Sequence, residues 1–137
     1  MTEKRADKQA VDKRAAEKRV ILEMGSGNDL YGGDYTKAAC RAVQDALHHS
    51  SIVLFRSLGV DHHNMRVQVT IGVQQPEQVD LAVVAAELPR GRAEVTAVQG
   101  GLDVHDAEQQ TTHVIATAAV EAFVPIVAAD WRLSSGG

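Results

Sequence analysis

The chain has little of several things, and each shortage narrows what it does. A single cysteine, Cys40, stands among 137 residues, so an intramolecular disulfide is excluded, and no Cys/His spacing of a structural zinc site occurs. Cys40 falls on a helical apolar stripe, where plain packing accounts for it. Aromatic residues make up only 4%, so Val, Ala, Leu and Ile must fill the core. No apolar run approaches the roughly 20 residues that span a bilayer. The N-terminus is charged where a signal peptide would be apolar, and the expected location is the cytoplasm. The length fits one domain with a single core.

Charge is segregated along the chain. Residues 1–19 (MTEKRADKQAVDKRAAEKR) hold seven Lys/Arg and four Asp/Glu, against seven and fourteen in the remaining 118 residues. The first segment has good helix formers but few apolar residues, so it reads as a charged helical extension, either solvated or docked on an acidic partner. The single α+β domain is expected over residues 20–137.

Within that domain, VILEM (residues 20–24) reads as a first strand closed by Gly25. From Asp34, a natural N-cap, to about His49, the positions Thr36, Ala39, Cys40, Val43, Ala46 and Leu47 recur at helical spacing. MRVQVTIGV alternates, with Met65, Val67, Val69, Ile71 and Val73 on one face, and is the clearest strand. Pro76 opens a second helix with Leu81, Val84, Ala85 and Leu88 as its stripe, ended by Pro89. AEVTAVQ is a third strand, stopped by Gly100 and Gly101, and residues 102–110 read as a loop. THVIATAAVEAFV is ambiguous by composition, but Val114, Ala116, Ala118, Val120, Ala122 and Val124 share one face of a strand. The expected fold is α+β: a four-stranded sheet, order β-α-β-α-β-β, with two helices on one face. The free sheet face implies cover in a homo-oligomer, a trimer or a multiple of it, with sites at subunit junctions.

The stretch MGSGNDLYGGDYTK, read as a glycine-rich loop between strand and helix, carries the candidate chemistry. Gly25 and Gly27 begin a dinucleotide fingerprint, but Leu30 stands where its third glycine belongs, and no Gly-Lys-Ser/Thr of a P-loop follows. Asp29 and Asp34 put two carboxylates by the helix start and oppose a phosphate there. A neutral ligand rich in N–H or O–H donors, or a cation, suits the loop better. The alternative is that Asp34 only caps the helix and the glycines only make turns. Glu23 lies inside an apolar strand; buried, it would serve as a general acid or base, and on an edge facing solvent it would not. His105, five residues after Gly100-Gly101, is a further candidate, whereas His48 and His49 end a helix and DHHN (residues 61–64) reads as a solvated turn. No metal or cofactor is expected, nor a nucleic-acid partner, because the core is acidic and poor in aromatics.

Three segments, VILEMGSGNDLYGGDYTKAACRAVQDAL, MRVQVTIGV and EVTAVQGGLDVH, together resemble a family of small bacterial conserved hypothetical proteins over residues 20–124. More distantly, the layout resembles one repeat of the ring-opening amidohydrolases, cyanuric acid hydrolase and barbiturase. Gly33-Asp34-Tyr35-Thr36 matches the end of that family's loop, and Gly100-Gly101 its glycine pair. The resemblance implies a cyclic amide or related nitrogen-rich metabolite at a subunit interface; with the loop's own Gly25, Gly27 and Asp29, the matched Gly33, Asp34, Gly100 and Gly101 are the candidates for holding a small polar ligand. Glu23 stands near the family's lysine and Gln99 at its serine, so the serine-lysine nucleophile is missing. Hydrolysis would then run through an activated water, with Glu23, Gln99 and His105 as the catalytic candidates. The rival expectation is a non-catalytic binding or scaffold protein that recruits a partner through its basic extension.

Overall fold

The computed structural model describes residues 16–48, 65–88 and 92–125. Among the described residues five strands form one sheet: β1 (Glu17–Asp29), β2 (Arg66–Val73), β3 (Arg92–Gln99), β4 (Leu102–Asp106) and β5 (Thr111–Pro125). Helix α1 (Tyr35–His48) follows β1, and a 3-10 turn (Pro76–Gln78) and short helix α2 (Leu81–Ala85) follow β2. The order across the sheet is β1-β5-β2-β3, with β1 and β2 antiparallel to β5 and β2 parallel to β3. β4 pairs with the first residues of β5, on the edge that β2 takes further along.

The class is therefore the expected α+β, with two corrections to the element list. The segment after Gly101 is strand β4, not a loop. LDVHD alternates Leu102 and Val104 on one face with Asp103 and His105 on the other, which suits a short strand leaving a tight turn. Gly101 takes φ +63°, and a Cβ there would lie 2.2 Å from the Ile115 carbonyl oxygen, so the turn brings the chain back onto β5 through glycine alone. The second helix is also broken: after the 3-10 turn Val79 is extended, and Asp80 caps a fresh helix by accepting from the Ala82 and Val83 N–H groups.

The expected glycine-rich loop is largely strand. β1 runs on through Gly25, Ser26 and Gly27 to Asp29, paired with β5 as far as Val114, and at its other end it takes in Glu17–Arg19 of the expected helical extension. Residues 1–15, 49–64, 89–91 and 126–137, which hold the rest of the extension, the DHHN turn and the expected helix end at Pro89, lie outside the described residues.

The core sits between α1 and one sheet face. It is built from Val67, Val69, Ile71 and Val73 of β2, Val114 to Ala122 at alternate positions of β5, and Ala38, Ala39, Ala42, Val43 and Ala46 of α1. The two long alternating patterns thus face as read from the sequence. The buried stripe of α1 is rotated toward Ala38, Ala42 and Ala46 because these lie on β1. A Cβ on Gly25 would fall 2.4 Å from the Ala46 nitrogen, and one on Gly27 2.3 Å from the Ala42 nitrogen. Small residues on both elements let the helix backbone rest almost on the strand. Helix side chains also reach the outer edge of β1: Asp45 accepts the Ser26 N–H at 3.0 Å, and Arg41 donates to the Asn28 carbonyl at 2.6 Å.

The opposite face carries no covering element among the described residues. Leu22, Met24 (67% exposed), Leu102 and Val104 lie open there. Beside them, Arg19 pairs with Glu121 at 3.3 Å, Arg66 with Glu17 at 2.9 Å, and Arg66 lies 4.3 Å over the Phe123 ring.

Candidate functional site

The topology collects its ends on one side. The C-terminal ends of β1, β2 and β3, the start of β5, all of β4 and the N-terminus of α1 meet there, and the carboxyl ends of neighbouring parallel strands are a recurrent ligand position. The sequence GGDYT builds the junction residue by residue. Gly33 takes φ +59°. Asp34 accepts the Lys37 N–H at 3.1 Å and so caps α1. Tyr35 turns its phenol to β4 and donates a short hydrogen bond to Asp103. Thr36 accepts the Asp80 N–H at 2.9 Å, tying the 3-10 turn and α2 to the helix start.

Asp29 holds this loop in shape. It is the one buried charged residue of the described core, 6% exposed, and its carboxylate accepts the Asp34 N–H at 2.9 Å while Arg41 stands 3.7 Å away. A charge so placed must be paired and hydrogen-bonded, and both conditions are met. Two adjoining cavities flank the loop and share Tyr31 and Gly32. One, about 400 Å³, is lined by Gly33, Tyr35, Gln75, Gln78, Asp103, Thr111 and Thr112 among others; the second, about 460 Å³, by Asn28, Asp29, Asp34, Lys37 and Arg41.

The first cavity has the more pointed chemistry. Tyr35 is buried, and burial, then its bond to Asp103, then the Asp103 charge push its phenol up to about 12. It stays a donor across the physiological range and occupies one oxygen of Asp103. The other, Oδ1, is buried with no hydrogen-bond partner among the described residues, as is the Thr111 hydroxyl. An unsatisfied buried carboxylate oxygen is costly and asks for a donor. Gln75 and Gln78 add amides that both donate and accept, and they already bond each other. No group of three or more potential metal ligands occurs among the described residues.

The structure brings together some of the expected residues and separates others. Asp29, Gly33 and Asp34 line the cavities, and His105 lies beside the first of them, its Nδ1 3.3 Å from the Thr112 hydroxyl. Gly100 and Gly101 turn the chain from β3 into β4, their carbonyls accepting from the Gln74 amide at 3.1 and 3.3 Å. Gln99 is exposed at the end of β3 and lines neither cavity. Gly25 and Gly27 lie under α1, with their helix-side space filled by its backbone. Glu23, half-buried opposite Val120, is six residues before Asp29, roughly 20 Å along the strand at ~3.3 Å per residue. Sequence reasoning missed Tyr35 and Asp103. The available signal was a tyrosine one residue past the N-cap and an aspartate on the same face as His105.

These features define a class: an α+β sandwich, one sheet face under helices, with a small polar cavity at the strand ends. The chain belongs to a conserved hypothetical protein family, Lin0512_fam, whose model matches residues 19–122. A solved structure that it resembles is the crystal structure of an FtsZ-like protein of unknown function from Nostoc punctiforme PCC 73102. The two are 37% identical with a TM-score of 0.69, over 80% of this chain and 98% of that one. No curated protein is significantly similar to the chain. No helix among the described residues is long and apolar enough to cross a membrane.

Proposed function

We propose that the chain binds a small, uncharged or cationic, nitrogen-rich metabolite, of which a cyclic amide is the simplest form, in the cavity lined by Tyr35 and Asp103. The observation that carries this reading is the buried Asp103 Oδ1 without a partner, beside a phenol that remains protonated. A ligand N–H supplies the missing donor, and a neighbouring ligand carbonyl finds the amides of Gln75 or Gln78. The likeness of Gly33-Asp34-Tyr35-Thr36 to the loop end of ring-opening amidohydrolases supports the same position. Glu23 lies too far along β1 to act on a ligand held there, so the proposal is of binding, without a hydrolytic step assigned.

Assembly into a homo-oligomer, a trimer or a multiple of it, is the second part of the reading. Its support is the open sheet face, where Leu22, Met24, Leu102 and Val104 leave apolar surface uncovered. Light scattering of the full chain reads this directly, and a monomer at all concentrations removes it. The binding reading is tested by thermal shift with δ-valerolactam and other small amides on the wild type and Asp103→Asn. Stabilisation that vanishes in Asp103→Asn is expected; equal stabilisation of both proteins refutes it.

A further inference from the structure

Of the two residues shared by the cavities, Tyr31 and Gly32, only Tyr31 offers a side chain to a ligand. Tyr31 lines both cavities, lies two residues past Asp29 at the end of β1, and is 74% exposed, in a chain with few aromatic rings. Its ring contact is with His113, the ring centroids 6.2 Å apart at 74° in an edge-to-face arrangement, and the 74% exposure leaves most of the ring surface open. Asp106 Oδ2 lies 4.0 Å from His113 Nε2. An aromatic side chain of this size gains by burial, so holding it out beside a cavity forgoes stability. The loop beneath it is anchored, through the Asp29 carboxylate and the Asp34 N–H at 2.9 Å, so the display is built in.

We infer that the ligand is a flat aromatic heterocycle that stacks on Tyr31 while its N–H edge meets Asp103. This rests on the binding reading above and adds the shape of the ring to it. The cavity wall then supplies two independent tests of a ligand. Asp103 selects for a donor at the ring edge, and Tyr31 selects for planarity, because a puckered saturated ring cannot lie flush on a phenol face. Stacking of a heterocycle on an aromatic side chain changes affinity by about tenfold or more on alanine substitution. The exposed Tyr31 is then a specificity-determining residue.

The pair 2-pyridone and δ-valerolactam separates the two requirements, since both carry an adjacent N–H and carbonyl on a six-membered ring, the first flat and aromatic, the second puckered. Dissociation constants are measured by NMR titration of the full chain for the wild type, Tyr31→Ala, Tyr31→Phe and Asp103→Asn. The expected result is that 2-pyridone binds about tenfold tighter than δ-valerolactam. Tyr31→Ala then removes that advantage while δ-valerolactam stays within about twofold, and Tyr31→Phe keeps it. Equal binding of the two rings, a preference that survives Tyr31→Ala, or a loss shared equally by both rings overturns the stacking. The Asp103 reading stands in those cases if Asp103→Asn still weakens both. Binding of neither ring, or Asp103→Asn without effect, overturns the binding reading and the stacking with it.

Discussion

Replacing Gly27 by alanine sets two effects of opposite sign against each other. In an ordinary strand the change removes backbone freedom from the unfolded chain and stabilises by about 0.5–1 kcal/mol. Here the new Cβ would stand 2.3 Å from the Ala42 nitrogen and 2.5 Å from the Ala38 carbonyl oxygen. Both are backbone atoms of α1 and cannot rotate away, so the helix must lift by about 1 Å to regain van der Waals separation. Overpacking of this kind costs about 1–3 kcal/mol, and the absence of any side chain to give way puts the cost at the upper end. The net loss is about 2 kcal/mol, a fall in Tm of roughly 5–10 °C for a chain of this size. Gly25→Ala meets Ala46 and Ala42 in the same way, and because one lift of α1 relieves both clashes, the double variant should lose less than the sum. Urea unfolding followed by circular dichroism measures all three, with Ser26→Ala on the open face as the control within about 0.5 kcal/mol. An unfolding free energy for Gly27→Ala equal to or above that of the wild type would refute the close-packed helix.

Further outcomes follow from the same geometry. Tyr35, with its phenol raised to about 12 from an ordinary 10.0, adds stability that is fully present below pH 10 and lost as pH rises through 12. Absorbance titration of the wild type against Asp103→Asn should show the Tyr35 transition move down in the variant, and an unmoved transition argues against the Tyr35–Asp103 bond. Asp29→Ala removes the acceptor of the Asp34 N–H and the partner of Arg41, for a loss of about 1.5–3 kcal/mol by chemical denaturation; a loss below about 0.5 kcal/mol contradicts its role in shaping the loop. Asp45→Ala frees the Ser26 N–H on the outer edge of β1, and unguarded edges pair with other chains. Concentration-dependent association on size-exclusion chromatography is expected to rise, and an unchanged elution profile counts against the edge being guarded by α1.

The fold was most legible where one face of an element is buried along its whole length. The alternation of Val67, Val69, Ile71 and Val73 and of Val114 to Ala122 fixed two central strands, and Asp34 marked the start of α1, because each signal has one cause. It failed where glycine had two meanings. Gly25 and Gly27 look like a loop in isolation, and only the alanines of α1, eleven or more residues away, show that they are strand positions cleared for a helix. β4 was hidden for a related reason: five residues with two aspartates and a histidine read as polar loop, although their pairing to β5 makes them strand. At the site, the sequence pointed to Asp29, Asp34 and the region of His105 through charge and spacing. The Tyr35–Asp103 contact joins residues 68 apart, and no local pattern carries that information.

The binding cavity itself is tested most directly by mapping backbone amide shifts of the full chain as δ-valerolactam is added to saturation. The largest changes are expected to gather on residues 31–35, Gln75, Gln78, Asp103 and residues 110–112. Changes centred on Glu23 in the middle of β1, or spread over Met24, Leu102 and Val104 on the open sheet face, would contradict it.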